Sequence, residues 1–327
     1  MTQKELADRC KNRNFDQIVV VVKDIFQAVE NMRRINGVSG DVQVCTKTVQ
    51  DSEGKTLIST ERRASYFYAN TELCFVESVE GETLYKRFLD RCGEGICCAR
   101  ERVSPEEMGA MEQRLRDKGF APAQRFESKQ EKAVWFDLTA PLGILFEAVT
   151  GEPEEKPEHT ISERIAQINI TTPDLQKTME TVADLLEIGP WEVGRQSNAV
   201  VDNSAFRVDG ELRETEFSFL IGILVCGNIE WEAIQPEKGP LVYNDFIARR
   251  GIGFHHILQE IPQGQWQERL AKYAADGVEM ACKGTLGPVD WCYMDTERDL
   301  HFYTELRTDA VMEKLPDGYL QYFYPAE

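Results

Sequence analysis

The chain repeats itself, and that repetition sets most of its architecture. Gly93-Glu94-Gly95-Ile96-Cys97-Cys98 answers Gly251-Ile252-Gly253-Phe254-His255-His256 at a step of 158 residues. The same step carries Asn70 to Asn228, Tyr85 to Tyr243, Phe88 to Phe246, Gly119 to Gly277, Asp137 to Asp295 and Glu147 to Glu305. Chance does not produce such a series at one fixed offset, so the chain reads as two copies of one unit. Towards the start the step shortens. FDQIVVVVKDI at 15–25 answers IAQINITTPDL at 165–175, which leaves extra residues in the second copy between Leu175 and Asn228. The proline- and charge-rich GEPEEKPEHT separates the copies and reads as a linker. The expected boundaries are a tail at 1–12, a first unit at 13–150, the linker at 151–160, a second unit at 161–308 and a tail at 309–327.

Each copy runs strand, helix, strands, twice over. In the first copy the second helix opens at SPEEMGAMEQRLRDKG, where Ser104 and Glu107 have capping-box spacing, Pro105 suits the first turn and Gly119 the stop. The pattern predicts an α+β fold with mainly antiparallel sheets. The net charge of −19 opposes binding to nucleic acid or anionic lipid. No stretch reaches the roughly eighteen apolar residues of a membrane span. The polar start, MTQKELADRCKNRNF, lacks the apolar core of a signal peptide. Nine cysteines, an odd count with no C-x-x-C, suit a reduced, cytoplasmic protein.

IAQINITTPDL, LLEIGPWEV, GNIEWEAIQP followed by GIGFHHILQEI, and CYMDTERDLHFYTEL occur in order between residues 164 and 306. In these segments the second copy resembles the vicinal oxygen chelate superfamily, and most closely its methylmalonyl-CoA epimerase-like branch. The resemblance implies tandem βαβββ modules, four in all, forming two units. It also implies a divalent metal held from the first and last strands of two paired modules. Carried onto this sequence, the ligand positions are Gln167, Glu232, His256 and Glu305, with Gln167 standing where histidine is usual. The matching first-copy positions, Gln17, Cys74, Cys98 and Glu147, contain no histidine, so that unit is expected to be structural.

One nitrogen and three oxygen donors suit one hard-to-borderline ion: cobalt, manganese, nickel, zinc or iron. Strand alternation with Glu305 turns Tyr303 and His301 towards the same cleft, and Glu232 brings Glu230. Glu305, Glu230, Tyr303 and His301 are therefore the candidate acid–base groups. Alternation also puts His255 on the face opposite His256. The expected function is a metal-dependent isomerase or epimerase that moves a proton α to a carbonyl, on an acyl-CoA or another small carbonyl compound. The alternatives are an iron-dependent extradiol-type dioxygenase and a small-molecule binding protein without turnover. The chain is expected to work as a monomer or homodimer.

Overall fold

The computed structural model describes residues 1–152 and 161–326, so most of the expected linker lies outside the described residues. The chain folds as α+β, with two sheets built from four βαβββ modules. Local signals set the helix ends. Ser104 and Glu107 form the capping box of helix Pro105–Asp117, and Gly119 follows at φ +88°. Asp24 and Asp174 cap the helices Ile25–Asn36 and Leu175–Leu186 in the same way in both units.

In every module the first and last strands pair in parallel, and the first strands of paired modules run antiparallel. In the second unit this puts Ile229–Lys238, Ile165–Thr171, Gly253–Ile261 and Tyr303–Thr308 side by side at the sheet centre. These four adjacent strands carry the four implied ligand positions.

The units differ in closure. In the first, strand Val42–Asp51 pairs with Gln124–Glu127 and completes an eight-stranded barrel. In the second, the extra residues form the hairpin Asp202–Val208 and Glu211–Arg213, which docks on strand Met280–Leu286. The other end of that sheet gains Leu320–Tyr324, paired with Trp191–Ser197. The residues set apart as a C-terminal tail thus contribute a strand, and those of the N-terminal tail form helix Gln3–Cys10. The sheet order shows no closing pair, and a cleft stays open.

The closed barrel is filled rather than hollow. Arg63 bonds to Glu61 at 3.2 Å, and its charge acts on Cys74, Tyr85 and Glu147 around it. Burial raises Glu147 to about 7 although Arg100 and Arg63 pull it down. A carboxyl raised on folding favours the native state at low pH and loses that benefit as pH rises through the folded value. Between pH 5 and pH 8 the protein should therefore lose roughly 2–3 kcal/mol of stability relative to Glu147→Gln. Parallel urea unfolding of the two proteins at both pH values measures this, and equal pH slopes would refute it.

One apolar cluster spans both units, from Phe15 and Phe75 to Trp231 and Phe254. Phe15 and Trp231 meet at 5.2 Å between ring centroids. Among the described residues no helix is long and apolar enough to cross a membrane. All nine cysteines are free.

Candidate metal centre

Strand Gly253–Ile261 begins at a glycine with φ +155° and carries a bulge. Phe254 pairs with Ile170 and Ile257 with Ile168, so three steps on one strand match two on the other. The extra residue falls at His255–His256. Alternation fails there, and the two rings come together with Nδ1 to Nδ1 at 3.0 Å. The expectation that His255 points away from His256 is corrected by this bulge. The first unit has the same irregularity opposite Val19 and Val20, at Cys97–Cys98.

His256 is fully buried, and its Nε2 lies 3.1 Å from Glu232 Oε2 and 3.1 Å from Glu305 Oε2. These three side chains present ligand atoms within 4.8 Å of one another. Asn169 donates to Glu232 Oε2 at 2.8 Å, and Thr171 donates to Asn169 at 2.8 Å, so the carboxylate is oriented from two residues along the neighbouring strand. Gln167 stands one step away on that strand. Its Nε2 donates to Glu230 at 3.3 Å, and its Oε1 is buried without a donor. Gln167, Glu232 and Glu305 line the same cavity.

Burial works against charge on His256, but Glu232 and Glu305 outweigh it and lift the ring to about 8. Burial raises Glu232, with His256 opposing and Glu305 assisting. Burial, then His256, holds His255 well below its ordinary value, so it is neutral. Tyr293 Oη sits 3.2 Å from His256 Nε2 and accepts from Tyr243 at 2.8 Å. Nothing in the motifs pointed to Tyr293. The register did contain it, since Tyr293 pairs with Glu305 across the last hairpin.

The other acid–base candidates fare differently. His301 precedes its strand, at φ 67°, and its Nε2 faces Glu94 of the first unit at 3.5 Å. Its placement in the cleft is corrected, because alternation does not extend past the strand start at Tyr303. Tyr303 stacks on His255 at 5.0 Å and is not among the cavity's lining residues. Glu230 is held by Arg307 through two bonds of 3.1 Å. Glu305 remains at the cavity, its buried Oε2 3.1 Å from His256 Nε2.

The donor set fits a divalent ion. First-row ions lie about 2.0–2.2 Å from nitrogen and oxygen donors, so cis donors of an octahedron stand about 3 Å apart. The two His256–carboxylate separations match that edge, and the unpartnered Oε1 of Gln167 is a further oxygen donor. Among the described residues the first-unit counterparts Cys74, Cys98 and Glu147 form no such group. The cavity itself measures about 510 Å³. Its walls are largely apolar, with Phe219, Ile221, Leu258 and Trp291 from the sheet and Met312 and Tyr319 from the C-terminal segment.

The fold is that of the vicinal oxygen chelate class. Residues 166–291, most of the second unit, match the Glyoxalase/Bleomycin resistance protein/Dioxygenase superfamily. No curated protein matches the chain. Among solved structures it is similar to a mutant of 4-hydroxymandelate synthase from Streptomyces coelicolor, at 10% identity and a TM-score of 0.55, over 93% of this chain and 95% of that one. It is also similar to 2,2',3-trihydroxybiphenyl 1,2-dioxygenase from dibenzofuran-degrading Sphingomonas wittichii strain RW1, at 13% identity and a TM-score of 0.50, over 94% of each chain. Both likenesses run the length of the two-unit fold.

Proposed function

We propose that the second unit is a metal-dependent isomerase or epimerase that moves a proton α to a carbonyl on a small substrate. The observation that carries this reading is the buried group Glu232, His256 and Glu305, with Gln167 beside it, at an apolar cavity. These four residues would hold one divalent ion, which when bound supplies a Lewis acid for a carbonyl oxygen. Oxygen donors dominate the set, which suits an ion that is not required to change redox state. His255 and His256 have the order a ligating histidine needs. A neutral His255 accepts the Nδ1 proton of His256 and frees Nε2 for the ion.

The remaining work falls to the chain's own groups. Glu305 and Glu232 are the carboxylates of the cluster that line the cavity. Either carboxylate is placed to take a proton from an acidic carbon of a substrate in the cavity. Tyr293 sits beside both carboxylates as a hydroxyl donor.

The second reading is an extradiol-type dioxygenase, favoured by the two-unit architecture shared with the trihydroxybiphenyl dioxygenase. It sits less well with Gln167, since iron oxygenase centres use two histidines and one carboxylate. The free thiols accord with a cytoplasmic setting for either.

The deciding experiment offers 2-tetralone, a neutral ketone with acidic α-hydrogens, to the metal-loaded protein in D₂O and follows deuterium uptake by NMR. Uptake above the metal-free control supports the isomerase. Oxygen consumption with 2,3-dihydroxybiphenyl, and no deuterium uptake, transfers the reading to the dioxygenase.

A further inference from the structure

We propose that the second-unit cleft selects an uncharged, ring-bearing compound over an anion, and that Gln196 and Trp291 recognise polar substituents of that ligand away from the metal cluster. The inference rests on the cleft being the working site.

The charge around the cavity is the first ground. Glu192, Glu260 and Asp309 line it together with the carboxylates of the cluster, and Arg307 is its one lining cation among the described residues. Arg307 is not free to meet an anionic ligand. It donates twice to Glu230 at 3.1 Å and once to Glu260 at 2.7 Å. An ion at the cluster would balance Glu232 and Glu305 only, leaving the rim negative. A carboxylate or a CoA phosphate entering this cleft would lose hydration and gain no cation in return.

The second ground is the placement of two unpartnered polar atoms on otherwise apolar walls. Gln196 Oε1 and Trp291 Nε1 are both buried with no hydrogen-bond partner, and both residues line the cavity. A buried polar atom without a partner is unfavourable, so a ligand group that meets it gains affinity. Trp291 is two residues from Tyr293 on one strand, about 7 Å along. Glu192 lies in the same cross-strand row as Ile223 and Glu232, and Gln196 is four residues further, about 13 Å along. A compound that fills the cavity from the cluster outwards therefore meets a hydrogen-bond donor on one wall and an acceptor on another. The ligand chemistry this implies is a neutral two- or three-ring compound with an oxygen pair at the cluster. It would carry a hydroxyl that donates to Gln196 and an oxygen that accepts from Trp291. A volume of about 510 Å³ accommodates a molecule of that size.

The test uses three matched probes with the full-length protein at pH 6.5, as isolated and after chelator treatment: 3-hydroxyflavone, 3,4′-dihydroxyflavone and 3-hydroxy-4′-carboxyflavone. Dissociation constants come from flavone fluorescence. The dihydroxy probe should bind roughly tenfold tighter than the carboxylate in both preparations. Glu192→Gln with Glu260→Gln should tighten the carboxylate about fivefold or more and leave the dihydroxy probe unchanged. Gln196→Leu, or Gln196→Met if that variant does not fold, should erase the preference for the dihydroxy probe over 3-hydroxyflavone. Trp291→Phe removes the donor to an oxygen common to both and should weaken both about equally. Equal binding of the carboxylate and dihydroxy probes overturns the charge selection. A preference that survives at Gln196, or undiminished binding to Trp291→Phe, overturns the role of that residue. A protein that holds no metal yet keeps these ranks would defeat the isomerase reading and leave the inference standing. Bound metal with reversed ranks would do the opposite.

Discussion

His256→Ala and Glu305→Ala are each expected to strip the second unit of its ion, while Cys98→Ala and Glu147→Ala retain it. The basis is the shared geometry. His256 Nε2 is the hub of the cluster, 3.1 Å from each carboxylate, and among the described residues no other imidazole reaches it except His255, whose Nδ1 is turned to His256 Nδ1. Groups that only orient a ligand are worth about 10–100-fold in metal affinity, so a ligand itself should be worth at least about 100-fold. His255→Phe keeps an aromatic ring beside Tyr303 but removes the acceptor for His256, and should fall within that 10–100-fold range. Elemental analysis after dialysis, with titration of the loaded ion, reads all five proteins. Metal lost from the Cys98 or Glu147 variant instead would place the working centre in the first unit.

The sequence contained more of this centre than of its surroundings. The family resemblance pointed to Glu305 and His256, and the fixed step then matched them to Glu147 and Cys98, because equivalent modules put equivalent residues on equivalent strands. Capping signals at Ser104 and Glu107 were local, and the helix starts there. The misplacements share one cause, which is that register and reach are not local. Period-2 alternation holds only where pairing is regular. It broke at the His255–His256 bulge and had no meaning for His301, which lies before its strand. The closing of one sheet and the opening of the other depended on which distant strands pair. A hairpin from the inserted residues and a strand from the C-terminal segment flank the second cleft, and neither announces its partner in sequence. Gln196 and Trp291 became visible only once those walls existed. Arg63 inside the first barrel was equally hidden, since a buried cation reads as a surface charge until the barrel closes around it.

Asn228→Ala is expected to destabilise the protein by about 2–4 kcal/mol without touching the metal centre. Asn70 and Asn228 are related by the repeat, and the fold brings them face to face. Asn70 Nδ2 donates to the Asn228 carbonyl at 2.9 Å, and Asn228 Nδ2 donates to the Asn70 carbonyl at 2.9 Å. Each also binds the first strand of the opposite unit. Asn228 accepts from Phe15 N at 2.8 Å, and Asn70 accepts from Ile165 N at 3.1 Å. The two residues thus form a pseudo-symmetric clasp, and the chain passes so close there that a Cβ on Gly227 would meet the Arg13 carbonyl at 1.7 Å. Alanine at 228 removes three hydrogen bonds and strands the Phe15 N–H, at about 1–3 kcal/mol for the orphaned donor alone. Asn70→Ala should cost a similar amount. The double variant should cost about the sum of the two, because each change removes only its own side chain's bonds and leaves the other residue's bond to a backbone carbonyl in place. Urea unfolding of the three variants measures this. A loss below about 1 kcal/mol for Asn228→Ala would mean that water replaces the clasp. The expected result would give the first unit a structural part: its strands supply half of the joint on which the second unit's sheet is mounted.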